Sequence, residues 1–154
     1  MTRVAGEITI HRPVETVFDF VADETNEPRY NPSMLRAERI SDGPIGTGTR
    51  FATELKTMGR AMAMTVEFTR FERPQLLAST TRSWAMQTEG ELTFEPVDGG
   101  TRMRWSWDVR PRGPLKLITP LIGWLGRRQE QAIWGELKRL LESQTPGSAA
   151  RRYG

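Results

Sequence analysis

Two polar residues stand among apolar positions in the last third of the chain. Residues from Pro114 to about Ser143 show the apolar periodicity of a long helix, and Gln129 and Glu136 fall within its apolar stripe, one and three turns along from Leu125. Polar groups on a dry face need a partner. Both side chains could hydrogen-bond a carbonyl or hydroxyl group of a ligand, and a desolvated Glu136 would suit general acid or base catalysis. The alternative is that Glu136 lies near water at the wide end of a groove or pairs with an arginine of the sheet.

Two tryptophans share one face of a predicted strand. Met103, Trp105, Trp107 and Val109 alternate with polar residues, which is typical of a half-buried strand. Indole rings are bulkier than the β-branched side chains that usually fill a small core, and a buried indole N–H needs a partner. This face therefore suits an aromatic-lined cavity, although two ordinary core rings would produce the same pattern.

The composition excludes several kinds of chemistry. With no cysteine and one histidine, the chain has no disulfide framework, no cysteine nucleophile and no multi-histidine zinc site. It has no Gly-x-Ser-x-Gly nucleophile elbow, and the glycines of residues 46–49 lack the spacing of a phosphate-binding loop. His11 has no nucleophile or acid beside it in the sequence, so we expect a structural role for it. We expect no metal and no cofactor.

Charge and length limit the remaining classes of protein. The 154 residues carry a formal net charge of +3, but the basic residues are scattered, so we expect no nucleic-acid partner. The first residues lack an apolar signal-peptide core, and no apolar run is long enough to span a bilayer, which predicts a cytoplasmic protein without an integral membrane segment. We expect one domain over residues 1–145 and a flexible tail over 146–154.

The elements that must position these side chains follow from periodicity. A strand ending at Ile10 precedes a short helix that begins after Pro13 and runs to about Ala22, and a single helical turn fits before Asn31. Alternating residues separated by tight turns then predict an antiparallel meander with one wet face. Its strands lie near 34–41, 49–57, 61–72, 75–83, 85–95 and 101–109.

A sheet that is dry on one face needs the long helix to cover that face. The apolar stripe of this helix is predicted to comprise Ile118, Leu121, Ile122, Leu125, Ala132, Ile133, Leu137 and Leu140. Because inward residues alternate large with small, we expect a gap between sheet and helix that binds a ligand. The predicted lining is Phe51, Leu55, Met64, Val66, Phe68, Met86, Thr88, Trp105, Trp107, Gln129 and Ile133.

The order of several segments resembles the START-related superfamily of polyketide cyclases and lipid-transfer proteins. These segments are ITIHRPVETVFDFVAD, YNP, GTGTRF, FTRFERPQLL, DGGTRMRW and the terminal helix, and they cover nearly the whole chain. The resemblance implies an α+β helix-grip fold, in which a seven-stranded antiparallel sheet curls around the C-terminal helix and two short helices follow the first strand. It also implies a deep cavity for lipids, polyketides or aromatic metabolites. Many relatives have tryptophan before the Asn-Pro pair, where this chain has Tyr30.

Three functions stay open at this point. The first is a carrier that binds a small hydrophobic molecule. The second is a cofactor-independent polyketide cyclase or dehydratase, in which Glu136 would be the acid or base and Tyr30 would donate its hydroxyl to an enolate. The third is a co-chaperone-like interaction module. Trp124 and Trp134 are predicted to project from other flanks of the long helix, where they would pack under the sheet edges or contact a second subunit, a membrane surface or a transient acidic partner.

Overall fold

A computed structural model describes residues 2–57 and 59–144 of the chain. Seven strands form one antiparallel sheet in the order β1-β7-β6-β5-β4-β3-β2. They are β1 (Thr2–Ile10), β2 (Met34–Arg39), β3 (Arg50–Thr57), β4 (Arg60–Glu72), β5 (Leu76–Arg82), β6 (Met86–Val97) and β7 (Gly100–Pro111). The predicted meander is confirmed, with ends that differ from the prediction by three residues or fewer. Strand β1 joins it by pairing along its whole length with β7.

Two short helices follow β1, as predicted. Helix α1 (Val14–Ala22) begins directly after Pro13, and a 3-10 helix (Glu24–Arg29) follows it. The side chain of Asp23 accepts a hydrogen bond of 3.1 Å from the backbone N–H of Thr25, which caps the second of these helices. A second 3-10 helix (Gly113–Ile118) leads into the long helix α2 (Thr119–Ser143). The predicted tail over 146–154 lies outside the described residues.

Helix α1 closes one end of the curled sheet. Phe18 from α1 is fully buried, and its ring meets those of Phe71 and Phe94 edge-on at centroid distances of 5.2 and 5.1 Å. Phe51 and Phe68 continue this cluster with their ring centroids 5.3 Å apart. Edge-to-face contacts of this kind add to the stabilisation from apolar burial. This end of the sheet is therefore a closed aromatic core.

Helix α2 lies against the first strand. A Cβ atom at Gly123 would come within 2.6 Å of Cγ2 of Thr2, and one at Gly126 within 3.2 Å of Cγ2 of Val4, so the two glycines allow close approach of helix and strand. Near the other end of α2, Lys138 Nζ donates a hydrogen bond of 2.6 Å to the backbone carbonyl of Thr9. The helix is thus held on β1 at both ends.

Candidate functional site

The buried face of α2 differs from the predicted one. Ile133 and Leu137 are buried as expected, but Leu121 and Leu125 are about half exposed. The side chains of the other predicted stripe residues in the first turns, Ile118 and Ile122, are not among those described. The residues that face the sheet instead are Gly123, Gly126, Glu130, Ile133, Trp134, Leu137 and Leu141. Because close packing of Gly123 and Gly126 on β1 sets the rotation of the helix, the buried face lies about a quarter of a turn from the Leu/Ile stripe.

This rotation removes both polar residues that the sequence had placed on the dry face. Gln129 is exposed. Glu136 is also exposed, and its carboxylate pairs with Arg139 at 3.2 Å one turn along the helix. The prediction that Gln129 and Glu136 face the sheet is therefore wrong. Of the two tryptophans predicted to project from other flanks of the helix, Trp134 is only 6 % exposed, in agreement with the packing alternative, whereas Trp124 is half exposed.

The carboxyl group that faces the sheet belongs to Glu130. Its Oε2 atom accepts two indole hydrogen bonds, one from Nε1 of Trp134 at 2.6 Å and one from Nε1 of Trp107 at 3.1 Å. Burial raises the pKa of Glu130 to about 7, and the two indole hydrogen bonds moderate this rise because they favour the ionised form. Near neutral pH the site therefore holds comparable amounts of a carboxylic acid and a carboxylate. The sequence analysis missed this residue.

Two glycines of the sheet make room for the two inward indoles of β7. Gly6 on β1 lies opposite Trp105, and a Cβ atom there would come within 2.5 Å of the indole ring. Gly90 on β6 lies opposite Trp107, and a Cβ atom there would come within 2.8 Å of that ring. Each indole can therefore lie flat over the neighbouring strand. The alternation of large and small residues noted in the sequence has this physical basis.

A row of aromatic rings leads from the short helices to the sheet. The ring centroids of Phe20 and Tyr30 are 6.0 Å apart, those of Tyr30 and Trp134 are 5.9 Å apart, and those of Trp134 and Trp105 are 6.0 Å apart. Tyr30 is buried. The row places the Tyr30 ring beside the indole that binds Glu130, so two of the chemistry-bearing residues belong to one cluster.

The phenol of Tyr30 keeps its proton. Burial raises the pKa of Tyr30 well above its ordinary value, and the nearby carboxyl groups of Glu27, Glu24 and Glu130 add to the rise. Burial likewise raises the pKa of Glu24, with a further contribution from Glu27. The hydroxyl of Tyr30 is therefore a hydrogen-bond donor, and the titratable groups that act on it are carboxyl groups.

The predicted lining residues divide into two groups along the sheet. Phe51, Val66, Phe68, Trp105 and Ile133 are buried and form part of the closed core. Leu55, Met64, Met86, Thr88 and Trp107 share the inward face but are only half-buried. The second group lies toward the end of the sheet at which β6 begins and β7 ends, and the indole of Trp107 marks the boundary. The inward face is thus packed at one end, whereas several of its side chains at the other end, which we call the open end, are only partly covered.

A shallow depression of about 210 Å³ lies elsewhere, on the outer face of β3 and β4. It forms over the small side chains of Ala52 and Ala63 and is flanked by Arg36 and Arg82. Charged residues border it, and no aromatic ring lines it.

The described residues also limit two other kinds of site. Among residues 2–57 and 59–144, no three Asp, Glu or His side chains are grouped so as to hold a metal ion. In the same part of the chain, no helix has the length and hydropathy needed to cross a bilayer.

Known proteins with this architecture are numerous. A START superfamily protein from Mycobacterium smegmatis superposes with a TM-score of 0.79 at 15 % identity, over 94 % of this chain and 100 % of that one. The Zhui aromatase/cyclase from Streptomyces sp. R1128 superposes with a TM-score of 0.75 at 15 % identity, over 99 % of this chain and 95 % of that one. A protein from Thermus thermophilus gives a TM-score of 0.76 at 19 % identity, over 93 % of this chain and 99 % of that one. At these identities the likeness shows the helix-grip fold alone.

Family membership rests on the sequence itself. No curated protein matches the chain. The family model described as polyketide cyclase/dehydrase and lipid transport matches residues 1–142, which is nearly the whole chain. The chain therefore belongs to the polyketide cyclase/dehydrase and lipid-transport family.

Proposed function

We propose that this protein binds a hydrophobic small molecule in the groove between the sheet and α2, with a polar group of the guest against Glu130. The observation that carries the proposal is the Glu130 carboxyl, which accepts hydrogen bonds from two indole N–H groups on the side of α2 that faces the sheet. Such a site combines a large apolar contact area with one oriented polar group, which is the usual composition of a small-molecule site.

The groove supplies the apolar contact. Leu55, Met64 and Met86 are half-buried on the inward face, so a guest would cover surface that water now reaches. Methionine side chains adjust to irregular shapes because they are unbranched and flexible. Support for a hydrophobic guest therefore comes from side chains that the closed core leaves incompletely covered.

Glu130 supplies the polar contact. Both hydrogen bonds from the described indoles end on Oε2, and we propose that a guest binds Oε1. With a pKa of about 7, the carboxyl group donates to a guest carbonyl in its acid form and accepts from a guest hydroxyl in its ionised form. We therefore expect guests with one carbonyl or hydroxyl group on an apolar skeleton.

Native mass spectrometry of freshly purified protein, followed by titration with an apolar fluorescent dye, tests the proposal. Thr88→Phe places a ring on the half-buried inward face and should weaken dye binding at least tenfold, because it fills the groove. Thr65→Phe makes the same change on the exposed outer face and should leave dye affinity unchanged. Equal effects of the two variants, or loss with Thr65→Phe alone, would place the dye outside the groove and contradict the proposal.

A cyclase or dehydratase activity is the second candidate, and one observation favours it. Glu130 has a pKa near the pH of the cell, and the proton-bearing hydroxyl of Tyr30 belongs to the same cluster. On any substrate found to react, Glu130→Gln should reduce kcat roughly 100-fold or more with binding retained if Glu130 is the acid or base. If the protein is a carrier, the same variant should change only affinity, by a factor of a few.

A further inference from the structure

We propose that the open end of the molecule docks on an anionic lipid surface. The surface concerned, which we call the docking end, consists of the β5–β6 loop around Trp84, the second 3-10 helix and the first half of α2. The inference does not depend on the identity of the guest in the groove, because it rests on exposed side chains and charge alone.

Large apolar side chains protrude at this end from two separate elements. Trp84 is 77 % exposed and Leu117 is 87 % exposed. The two elements lie side by side, since the backbone N–H of Arg112, next to the 3-10 helix, donates a hydrogen bond of 2.8 Å to the carbonyl of Ala85. Exposed tryptophan and leucine together are typical of surfaces that enter a membrane interface.

The first half of α2 lies at the same end of the sheet, where Gly123 packs on Thr2. Leu121 lies three and four residues before Trp124 and Leu125, and Arg128 lies four and three residues after them, so all four share one face of the helix. Leu121, Trp124 and Leu125 are each about half exposed. Leu121 and Leu125 belong to the apolar stripe that the sequence predicts for the core, and the rotation of α2 turns them outward. An apolar helix face that the fold does not bury needs another partner.

The charge of this region is complementary to an anionic surface. Between Asp108 and Glu130 the sequence has five basic residues and no acidic residue, in a chain whose formal net charge is only +3. Arg127 and Arg128 are exposed, and the guanidinium of Arg128 lies 5.7 Å from the centroid of the Trp124 ring. Neighbouring basic and aromatic side chains suit a membrane surface, because the basic groups bind anionic headgroups and the aromatic rings lie at the edge of the hydrocarbon.

A lipid surface fits these observations better than a second copy of the chain does. In a two-fold symmetric dimer through this face, each basic cluster would lie against its own copy, and like charges would repel. Protruding side chains such as Trp84 and Leu117 also suit a fluid interface, which needs no matching cavities. The docking end adjoins the open end of the groove, because Pro111, which precedes Arg112, is paired with Met86 of the half-buried inward face.

Vesicle co-sedimentation tests the proposal with two matched pairs of variants. The vesicles are phosphatidylcholine alone, or phosphatidylcholine with about a third of phosphatidylglycerol, an anionic lipid. Wild-type protein should bind the anionic vesicles and lose binding as salt is raised. Arg127→Glu with Arg128→Glu should weaken binding roughly 30-fold or more. The control, Arg39→Glu with Arg50→Glu, makes the same charge change at exposed positions of β2 and β3 and should have little effect.

The apolar pair is Leu121→Ser with Leu125→Ser, which should weaken binding at least tenfold. Its control is Leu35→Ser with Ile40→Ser, at the sheet edge, where the side chains are 50 and 52 % exposed against 51 and 48 % for Leu121 and Leu125. Equal loss in the two pairs, or equal binding to both kinds of vesicle, would overturn the proposal. A second result would also overturn it: wild-type protein that is dimeric and does not bind vesicles, and that Leu121→Ser with Leu125→Ser converts to a monomer. The face would then be an interface between copies of the chain.

Discussion

The indole N–H of Trp134 donates a 2.6 Å hydrogen bond to Oε2 of Glu130, one turn before it on α2. Both residues belong to the buried face of the helix, so this bond joins two parts of the same element rather than helix to sheet. The bond from Trp107 to the same oxygen then ties the pair to β7. A half-buried carboxyl group is tolerated here because two fixed donors and partial protonation reduce the cost of its charge.

Replacing Glu130 with glutamine should change how stability depends on pH. The pKa of Glu130 is about 7 in the folded protein, against an ordinary value of 4.5. Between these values the folded state binds more protons than the unfolded state, so wild-type stability falls as pH rises through this window. Glu130→Gln removes this fall. The free energy of unfolding of the variant should therefore exceed that of wild type by up to about 3 kcal/mol at pH 8 and should differ little from it at pH 4. Urea unfolding at the two pH values measures the difference.

The matched control for that measurement is Glu136→Gln on the same helix. Glu136 is exposed and pairs with Arg139 on the surface of the helix, so its replacement should change stability by less than about 0.5 kcal/mol at either pH. If Glu130→Gln raised the free energy of unfolding by the same amount at pH 4 and pH 8, Glu130 would not be the group that titrates in this window.

Removing one indole donor should raise the pKa of Glu130 further. The hydrogen bond from Trp134 lowers this pKa more than the one from Trp107 does, so Trp134→Phe should produce the larger rise and Trp107→Phe the smaller. Carbon-13 NMR of the labelled carboxyl group across a pH titration follows both. A fall in pKa on either substitution would mean that the indoles do not bind the ionised form.

Substituting alanine for Gly6 should destabilise the sheet. The added methyl group would come within 2.5 Å of the Trp105 indole, which is buried and has little freedom to move. We expect a loss of about 1–3 kcal/mol, the usual cost of overpacking a core. Gly135→Ala, at a helical glycine whose added methyl group would have no heavy atom within 4 Å, should instead stabilise by up to about 1 kcal/mol. Thermal unfolding followed by circular dichroism compares the two variants. A Gly6→Ala variant as stable as wild type would contradict the packing of the Trp105 indole over Gly6.

Lys138 should matter far more than its neighbour Arg139. The ammonium group of Lys138 binds both the backbone carbonyl of Thr9 and the carboxylate of Glu142, at 2.6 and 2.7 Å. Lys138→Met should therefore cost roughly 1–2 kcal/mol, whereas Arg139→Met, which loses one exposed ion pair, should cost less than about 0.5 kcal/mol. Urea unfolding measures both, and equal costs would show that Lys138 does not anchor the helix.

The sheet was predictable from the sequence because two-residue alternation and tight turns determine both the faces and the order of an antiparallel meander. The inward positions of Trp105 and Trp107 followed directly from their spacing. What periodicity alone does not supply is the pairing of each indole with a glycine on the next strand, since that depends on the register between strands.

The rotation of α2 was not predictable by the same means. Leu121 and Leu125 suggested the buried face by hydropathy, but Gly123 and Gly126 determine it, because only small residues allow the helix to approach β1 so closely. Glu130 could have been found from its spacing of four residues from both Gly126 and Trp134. That signal is weak without the contact with β1, so the acidic candidate was placed at Glu136 instead.

Fluorine NMR of protein labelled with 5-fluorotryptophan tests the central claim most directly. The chain has five tryptophans, so five resonances are expected, and single Trp→Phe variants assign them. On titration with a monomeric apolar guest that has one carbonyl group, the resonance of Trp107 should shift in a saturable way because its ring lies at the inner limit of the groove. Shifts confined to the exposed Trp84 and Trp124, with Trp107 unchanged at saturation, would contradict binding in the groove.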